Sequence, residues 1–447
     1  MRESRAETRR RQRRKKSGRL RRMIMINGIL LLSAGVLGYT IWNFTGGTGN
    51  SSDKPVASAT EQAADQAGSP GKEHSDPANS QGEAAGNEKP SGETGTDHAE
   101  QPDAVSGSED TGSNGNSGSG GTAVEGNPPE PQSGDSTIHM NFVGDILLAA
   151  SVGERMKKDG YDYPYRYVST YFEQADLTVG NLETPVTEHE EPQSKSYVFK
   201  SAPETLPALK EAGFDVLNLA NNHIMDHGTR GLLDTMKFAD KAGFLRIGAG
   251  KNADEAYKPV IVTKNGIKVA FVGLSRVVPD GSWKAGPSSP GVAETYDVTR
   301  PAAEIQAAKK AADLVVVVVH WGKERQDRPV KEQTELARAY IDAGADLVVG
   351  GHPHVLQGVE LYKGKWIAYS LGNFIFTTNS NPKTWDSAIL EAECSAEGKC
   401  SLEMVPVLTK GGQPKPMAAA EGAALLRRIS GLSIGASIGT DGKVHAE

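Results

Sequence analysis

The chain has 447 residues, a formal net charge of −7 and two cysteines, Cys394 and Cys400. Two thiols are too few for a disulfide-built scaffold, and they cannot fill the ligand positions of a cysteine-type structural zinc site. The composition changes sharply along the chain, so each segment has to be interpreted separately.

The N-terminal segment predicts a membrane anchor. Residues 1–22 are rich in arginine and lysine, and residues 23–44 carry no charged side chain. An apolar segment of this length crosses about 30 Å of hydrocarbon as a helix, and Trp42 and Phe44 stand at its far end, where aromatic rings favour the interface. We therefore expect a basic cytoplasmic tail at 1–22, a single transmembrane helix at 23–44 and an extracellular remainder.

Two alternatives for this segment are weaker. A cleaved signal peptide would have a shorter apolar stretch, and no small-x-small cleavage site follows this one. The basic tail resembles a nucleic-acid patch in charge, but beside a membrane span attraction to anionic lipids explains it better. We expect no nucleic-acid partner.

Residues 45–136 consist mainly of Gly, Ser, Glu, Asp, Asn and Pro. Such a segment buries too little apolar surface to offset its ordering entropy, so we predict a disordered linker. As a flexible coil of about 90 residues, its ends average roughly 50 Å apart. Its expected role is that of a spacer that holds a folded domain away from the membrane.

Strands and helices alternate over residues 137–412. The predicted strands include 139–143, 175–179, 214–219, 313–319 and 347–349, and the predicted helices include 203–212, 229–242, 302–312 and 330–343. Hairpins are predicted around Asn265-Gly266 and Lys363-Gly364, with a last strand pair at 388–394 and 400–407. Nearly continuous apolar strands between helices predict an α/β fold with mixed, covered sheets.

Two features at the end of the chain are less defined. Residues 413–447 are predicted to form a C-terminal tail whose Ala-rich stretch is a short helix. Cys394 and Cys400 flank a short turn, and the sequence leaves open whether they form a hairpin disulfide.

Polar side chains follow five of the predicted strands at the points where these strands end. They are Asp145; Asn181 and Glu183; Asn222, His223 and Asp226; His320 and Glu324; and His352 and His354. Each cluster alone has a plain structural explanation, as a turn or an N-cap. Because sites form at the carboxyl ends of strands in α/β sheets, the joint set of imidazole, carboxylate and amide groups indicates a site for Mn, Fe or Zn.

The stretch before the last two histidines has a specific pattern. Leu347–Val349 is apolar, Gly350 and Gly351 follow, and Pro353 separates His352 from His354. The glycines are predicted to let the backbone turn and to leave room for a group close to the chain. The proline restricts the turn, so the two imidazoles should be held together as metal ligands.

Six motifs in this order resemble those of the CapA family of capsule or poly-γ-glutamate biosynthesis proteins, which has a calcineurin-like metallophosphoesterase fold. They are GDILL at 144–148, GNLETPV at 180–186, NLANNHIMDHG at 218–228, VVVVHWGKE at 316–324, GGHPHVLQGVE at 350–360 and YSLGNFIF at 369–376. The resemblance implies a four-layer α-β-β-α sandwich of two mixed sheets with helices outside.

The resemblance also implies roles for single residues. One or two divalent ions would be held by Asp145, Glu183 or less favourably Asn181, Asn222, His320, His352 and His354. His223 would act on the leaving group, and Asp226 would orient it. Leu147 stands where the superfamily's first motif has a histidine, and its second motif lacks the usual Gly-Asp. These departures leave open whether two metals bind and whether the protein is a hydrolase.

Three functions are compatible with these sequence features. The favoured one is a capsule or poly-γ-glutamate biosynthesis factor that handles an anionic polymer outside the membrane, beside a synthase complex. The second is a metal-dependent hydrolase of phosphoesters. The third is a polymer-binding module that keeps the fold without turnover, which the leucine in the first motif favours.

Overall fold

A computed structural model describes residues 136–447 of the chain. The expected cytoplasmic tail, transmembrane anchor and linker lie outside these residues. Within residues 136–447, no helix is both long and apolar enough to cross a membrane.

The described residues form strands and α-helices that alternate over most of the domain. The strands are β1 (Thr137–Ile146), β2 (Leu177–Leu182), β3 (Val216–Asn218), β4 (Leu245–Ile247), β5 (Ala249–Gly250), β6 (Val260–Lys264), β7 (Ile267–Ser275), β8 (Gly291–Val292), β9 (Leu314–His320), β10 (Leu347–Gly351), β11 (Val359–Tyr362), β12 (Lys365–Ala368), β13 (Asn373–Ile375), β14 (Asp386–Ser395), β15 (Cys400–Leu408), β16 (Lys415–Pro416), β17 (Ala436–Ile438) and β18 (Val444–Ala446). The helices are α1 (Ala150–Asp159), α2 (Ser169–Gln174), α3 (Thr205–Ala212), α4 (Gly228–Ala242), α5 (Ala253–Tyr257), α6 (Thr299–Ala311), α7 (Lys331–Asp342) and α8 (Ala419–Ser430).

Two mixed sheets organise these elements. The first sheet has the order β16-β15-β14-β1-β2-β3-β4, with β13 also paired to β1. The second sheet has the order β11-β12-β10-β9-β7-β6. In the first sheet β1 to β4 run parallel, and in the second sheet β7, β9, β10 and β12 do. The predicted α/β class with mixed sheets is confirmed.

Three hydrophobic cores show the layering. One core joins both sheets, with Phe142 and Val216 from the first and Phe271 and Val316 from the second. A second core packs the outer face of the first sheet against α2, α3 and α4. A third packs the outer face of the second sheet against α5, α6 and α7. The layers therefore follow the order helix, sheet, sheet, helix.

The apolar strand β9 shows why the sequence pattern predicts this arrangement. Leu314, Val316 and Val318 belong to the core between the sheets, whereas Val315 and Val317 belong to the core under the helices. Both faces of the strand are buried, so it contains no alternation of apolar and polar residues.

The predicted hairpins are present with the expected turns. Asn265 and Gly266 have φ of 51° and 84°, and Lys363 and Gly364 have φ of 51° and 73°. Positive φ at both central residues is typical of the type I′ turn, whose twist matches that of two antiparallel strands.

Residues 413–447, which the sequence pattern sets apart as a tail, pack into the domain. Helix α8 places Leu425, Leu426 and Ile429 in the core between the sheets, and β16 extends the first sheet beyond β15. The Ala-rich stretch is helical, as predicted. The structure also joins Cys394 and Cys400 in a disulfide between paired residues of β14 and β15.

Candidate metal centre

The carboxyl ends of parallel strands from both sheets meet at one place. The first sheet brings Asp145 at the end of β1, Asn181 in β2, Glu183 just after β2, and Asn222 and His223 after β3. The second sheet brings His320 at the end of β9 and His352 and His354 after β10. The sequence-predicted residues are thus brought together from five separate strand ends.

Two buried carboxylates form the centre of the cluster. Asp145 and Glu183 have no exposed surface. The side-chain amide of Asn181 donates to Asp145 Oδ1 at 2.9 Å and lies 3.5 Å from Glu183 Oε2. Its oxygen accepts from Asn218 Nδ2 at 3.1 Å and Asn221 Nδ2 at 3.2 Å. Asn181 therefore serves as a hydrogen-bond bridge between the two acids.

The three histidines surround the carboxylates from the second sheet. His320 Nε2 lies 2.8 Å from Asn222 Oδ1 and 3.8 Å from Glu183 Oε1. His354 Nδ1 lies 3.2 Å from Asp145 Oδ2, and its Nε2 lies 3.8 Å from Glu183 Oε1. The rings of His320 and His352 have their centroids 4.7 Å apart.

The backbone around His352 differs from the sequence-based expectation. Gly350 and Gly351 belong to strand β10, and the turn is made by His352 and His354, with φ of 95° and 57°. Residues other than glycine rarely adopt this region, and such strain collects at functional sites. The glycines provide space instead, because a Cβ on Gly351 would lie 2.6 Å from Asp145 Oδ1.

Two groups of side chains have the spacing of metal ligands. Glu183, His320 and His352 form one, and Asp145, Glu183 and His354 form the other, with the ligand atoms of each group within 4.8 Å of one another. Within residues 136–447, Glu183 Oε1 and His352 Nδ1 are buried without a hydrogen-bond partner. Such atoms are costly unless something binds them. The donor set therefore fits a divalent cation, and Glu183 belongs to both groups.

Burial and charge shift the pKa values of the two acids in opposite directions. Burial raises the pKa of Glu183 well above its usual value, and the negative charge of Asp145 adds to this effect. Burial acts on Asp145 in the same direction, but hydrogen bonds from His354 and Asn181 outweigh it and leave the pKa of Asp145 below its usual value. Two adjacent buried carboxylates without a cation do not both ionise readily.

The imidazoles respond mainly to burial. Burial lowers the pKa of His320 well below its usual value and that of His352 to about 3. Burial also opposes the charge on His354, but its contact with Asp145 raises the pKa of His354. His320 and His352 are therefore neutral near pH 7, which is the form that binds metals.

The predicted pair of His223 and Asp226 is in contact. His223 Nδ1 lies 2.8 Å from Asp226 Oδ2, and Asp226 is fully buried. Lys195, which the sequence pattern did not single out, donates to Asp226 Oδ1 at 2.7 Å and to the carbonyl oxygen of Asn222 at 2.7 Å. Burial lowers the pKa of His223 despite the charge of Asp226.

Further side chains hold the cluster without having been predicted as site residues. Asn373 Oδ1 lies 2.9 Å from His354 Nδ1. Asn221 Oδ1 accepts from the backbone N–H of His223 and of Ile224. Asn373 lies in the YSLGNFIF motif and Asn221 beside Asn222, so the motifs contained the only available signal for them. Lys195 had none, because it lies in an irregular loop far from any strand end.

Comparisons with known proteins show which family the chain is similar to. A family model described as "Bacterial capsule synthesis protein PGA_cap" matches residues 139–378, which contain every candidate ligand. "Capsule biosynthesis protein CapA" of Bacillus anthracis is 38% identical over 289 residues, which cover 63% of this chain and 70% of that protein. "PGA biosynthesis protein CapA" of Bacillus subtilis (strain 168) is 37% identical over 287 residues, with coverages of 63% and 74%. A "Probable polyglutamine synthesis accessory protein" of Mycobacterium tuberculosis is 33% identical over 211 residues, with coverages of 45% and 55%.

Proposed function

The chain belongs to the bacterial capsule synthesis protein family PGA_cap, and we propose on this basis that it acts in the biosynthesis or export of an anionic capsule polymer of the poly-γ-glutamate type. Two relatives are named for capsule or PGA biosynthesis. The observation that carries the proposal is the buried carboxylate and imidazole cluster, which lies entirely inside the residues that the family model matches.

The proposed location is the outer face of the cell membrane. The basic residues 1–22 and the uncharged residues 23–44 support a single membrane span with a cytoplasmic N-terminus. The polar residues 45–136 support a long tether. The disulfide between Cys394 and Cys400 agrees with an oxidising compartment. In this arrangement the domain meets the polymer as it leaves a membrane synthase complex.

The proposed cofactor is one or two divalent ions, Mn, Fe or Zn. The ligands would be Asp145, Glu183, Asn222, His320, His352 and His354. A bound ion of this kind supplies Lewis-acid polarisation of an oxygen and lowers the pKa of water. Asn181 and Asn373 orient Asp145 and His354 through hydrogen bonds, and such outer partners are important for metal affinity.

A second candidate function is hydrolysis of a phosphoester on a metallophosphoesterase-like fold. The contact of His223 Nδ1 with Asp226 at 2.8 Å favours it, since a carboxylate at Nδ1 orients the ring and stabilises its protonated form, whose Nε2–H can give a proton to a leaving oxygen. Lys195 donates a hydrogen bond to the other carboxylate oxygen of Asp226, Oδ1. A further alternative is a polymer-binding module without catalytic turnover. Leu147 favours it, because this apolar, fully buried residue stands where the superfamily's first motif has a histidine.

Gene deletion and complementation in a polymer-producing host test the main proposal. Deletion should abolish surface polymer, and the wild-type full-length chain should restore it. His352→Ala and Asn222→Ala should each fail to restore it and should lack metal, because each removes a ligand. Unchanged polymer production and attachment after deletion would contradict the proposal.

Activity of the purified full-length chain separates the hydrolase from the non-catalytic binding module. A hydrolase should turn over generic phosphoesters when Mn or Zn is added, and His223→Ala should reduce the rate by about 10²–10⁴-fold, the usual contribution of a general acid. Absence of metal-dependent turnover, together with normal complementation by His223→Ala, would favour the binding module.

A further inference from the structure

Two arginines border the candidate metal centre on the side of the second sheet. Arg276 follows the end of β7, and its backbone N–H donates to the carbonyl oxygen of His320 at 2.7 Å. Arg325 lies in the loop after β9, and its backbone N–H donates to the carbonyl oxygen of Pro353 at 2.7 Å. Pro353 separates the two histidines His352 and His354 of the metal centre. Main-chain contacts therefore hold both arginines beside the metal centre.

The loop that carries Arg325 is fixed at both ends. The backbone N–H of Trp321 donates to the carbonyl oxygen of Gly351 at 3.1 Å, and Gln357 Nε2 donates to the carbonyl oxygen of Gln326 at 2.8 Å. Arg325 itself has a φ of 62°, a conformation that residues with a side chain rarely adopt. An exposed side chain on so well-held a loop can bind a ligand with little ordering of the backbone.

Within residues 136–447, neither arginine is paired with an acid. The ion pairs of residues 136–447 include Arg155 with Asp159 and Arg166 with Asp162 but none with Arg276 or Arg325. The guanidinium of Arg276 lies 4.2 Å from the ring centroid of Tyr296.

Charges of both signs lie around these two arginines, since Lys284 is paired with Glu294 Oε1 at 3.5 Å. Lys284 Nζ lies 4.5 Å from the ring centroid of Tyr296, the same ring that Arg276 contacts. Lys323 is exposed two residues before Arg325 and offsets the charge of the exposed Glu324 between them. The contact of Arg325 with Pro353 places this loop, including the acidic Glu324, beside the metal centre.

We propose that Arg276 and Arg325 bind carboxylates of an acidic polymer beside the metal centre, on the side of the second sheet, and thereby determine the choice of polymer. A guanidinium binds a carboxylate through two parallel N–H···O bonds. A polymer with one carboxylate per residue offers these groups at regular intervals, so two separated arginines can be occupied at once. The inference rests on the proposed function for the class of polymer.

Binding of fluorescent poly-γ-glutamate of one defined length to the full-length chain in detergent tests this assignment by fluorescence anisotropy. A chelator is present throughout, so that only the protein's own charges act. Arg276→Gln and Arg325→Gln should each weaken binding about tenfold, the effect of losing one charge-assisted interaction, and the double variant about 100-fold. Arg155→Gln with Arg166→Gln is the matched control, and it should bind as the wild type does.

Wild-type affinity in the double variant, or an equal loss in the control, would overturn the proposal. Tighter binding of polyphosphate than of poly-γ-glutamate would overturn the assignment to a carboxylate polymer. If the double variant does not fold, Arg325→Lys decides, since it keeps the charge and loses the bidentate geometry, and wild-type affinity in this variant would contradict the proposal. Failure of the wild-type chain to take up metal would count against the metal centre and not against the arginines.

Discussion

The two sheets contribute different chemistry to the same site. The first sheet supplies carboxylates and amides, and Asp145 and Asn181 lie within the strands themselves. The second sheet supplies imidazoles, and His352 and His354 lie beyond the strand in left-handed backbone conformations. Asp145 and Asn181 are therefore placed directly by sheet pairing, whereas His352 and His354 depend on a strained turn.

Neither half is a metal site alone. Each of the two ligand groups takes at least one carboxylate from the first sheet and at least one imidazole from the second. Metal binding should consequently report on the packing of the two sheets against each other. Substitutions in one half at a time test this dependence.

The largest effect is expected for Glu183→Gln, because Glu183 belongs to both ligand groups. Loss of even an outer partner costs 10–100-fold in metal affinity, so loss of this shared ligand should cost more than about 100-fold. Metal titration of the full-length chain measures it. Glu191→Gln, which changes an exposed acid, should leave metal affinity unchanged, and equal effects of the two substitutions would contradict the shared-ligand role.

The same variant should be more stable than the wild type when metal is absent. The pKa of Glu183 is raised in the folded protein above its usual value of 4.5. Without metal, the wild type therefore loses stability as pH rises through the pKa of Glu183 in the folded protein, because burial opposes the ionisation of this carboxyl. Glutamine does not ionise, so the variant does not lose this stability. Thermal melting in a chelator at pH 7 should show a higher midpoint for Glu183→Gln.

A smaller effect is expected for His352→Gln, which removes a ligand from one group only. Metal affinity should fall by about 100-fold, the upper end of the loss caused by removing an outer partner, so that the purified variant carries little metal. His139→Gln, at an exposed histidine outside the site, is the control and should bind metal normally. Equal metal affinity of His352→Gln and the wild type would show that His352 is not a metal ligand.

The pH dependence of stability offers an independent test of His352. Its pKa falls from 6.5 to about 3 on folding. The unfolded chain therefore takes up a proton below pH 6.5 that the folded chain refuses, and stability is lost as pH falls from 6.5 towards 3. In a chelator, the free energy of unfolding of the wild type should fall more steeply than that of His352→Gln, by up to ~1.4 kcal/mol per pH unit. Parallel curves would contradict the burial of a neutral imidazole.

Asn373 belongs to the first sheet and contacts His354 of the second sheet, so it links the two halves of the site. Asn373→Ala should reduce metal affinity about tenfold, because His354 loses the partner that orients its ring. Asn252→Ala removes the cap of helix α5, where Asn252 Oδ1 accepts from the Glu255 N–H. This substitution should lower the free energy of unfolding by about 1 kcal/mol without changing metal affinity. Normal metal affinity in Asn373→Ala together with reduced metal affinity in Asn252→Ala would contradict the orienting role.

The smallest effect on the site is expected from the disulfide. Replacing Cys394 and Cys400 with serine should lower stability by about 2 kcal/mol, the loop-closure value for so short a loop, and should leave metal affinity unchanged. Chemical denaturation and metal titration of the same variant measure both. A loss of metal would show that the far end of the first sheet is coupled to its acidic half.

Sequence patterns predicted the elements that depend on local rules. Strand β9 reads as a run of apolar residues because both its faces are buried, and the Asn265-Gly266 turn follows from the twist of a hairpin. The strand-end residues were recognisable because parallel strands bring their carboxyl ends together. The candidate ligands are accordingly all among the residues chosen from the sequence.

The contacts that hold these residues in place were not predictable in the same way. Lys195 reaches Asp226 from an irregular loop, and Asn373 meets His354 only after β13 pairs with β1. The packing of α8 into the core depends on tertiary contacts that no periodicity in residues 413–447 expresses. The turn at His352 was assigned to the wrong residues, since the glycines before it provide space for Asp145 rather than positive φ.

Metal analysis of the purified full-length chain tests the central claim most directly. We expect at least about one Mn, Fe or Zn ion per chain, held by ligands of both sheets. Glu183→Gln should lose that metal, and Glu191→Gln should keep it. Only a trace of metal in the wild type after growth and titration with all three ions would contradict the claim.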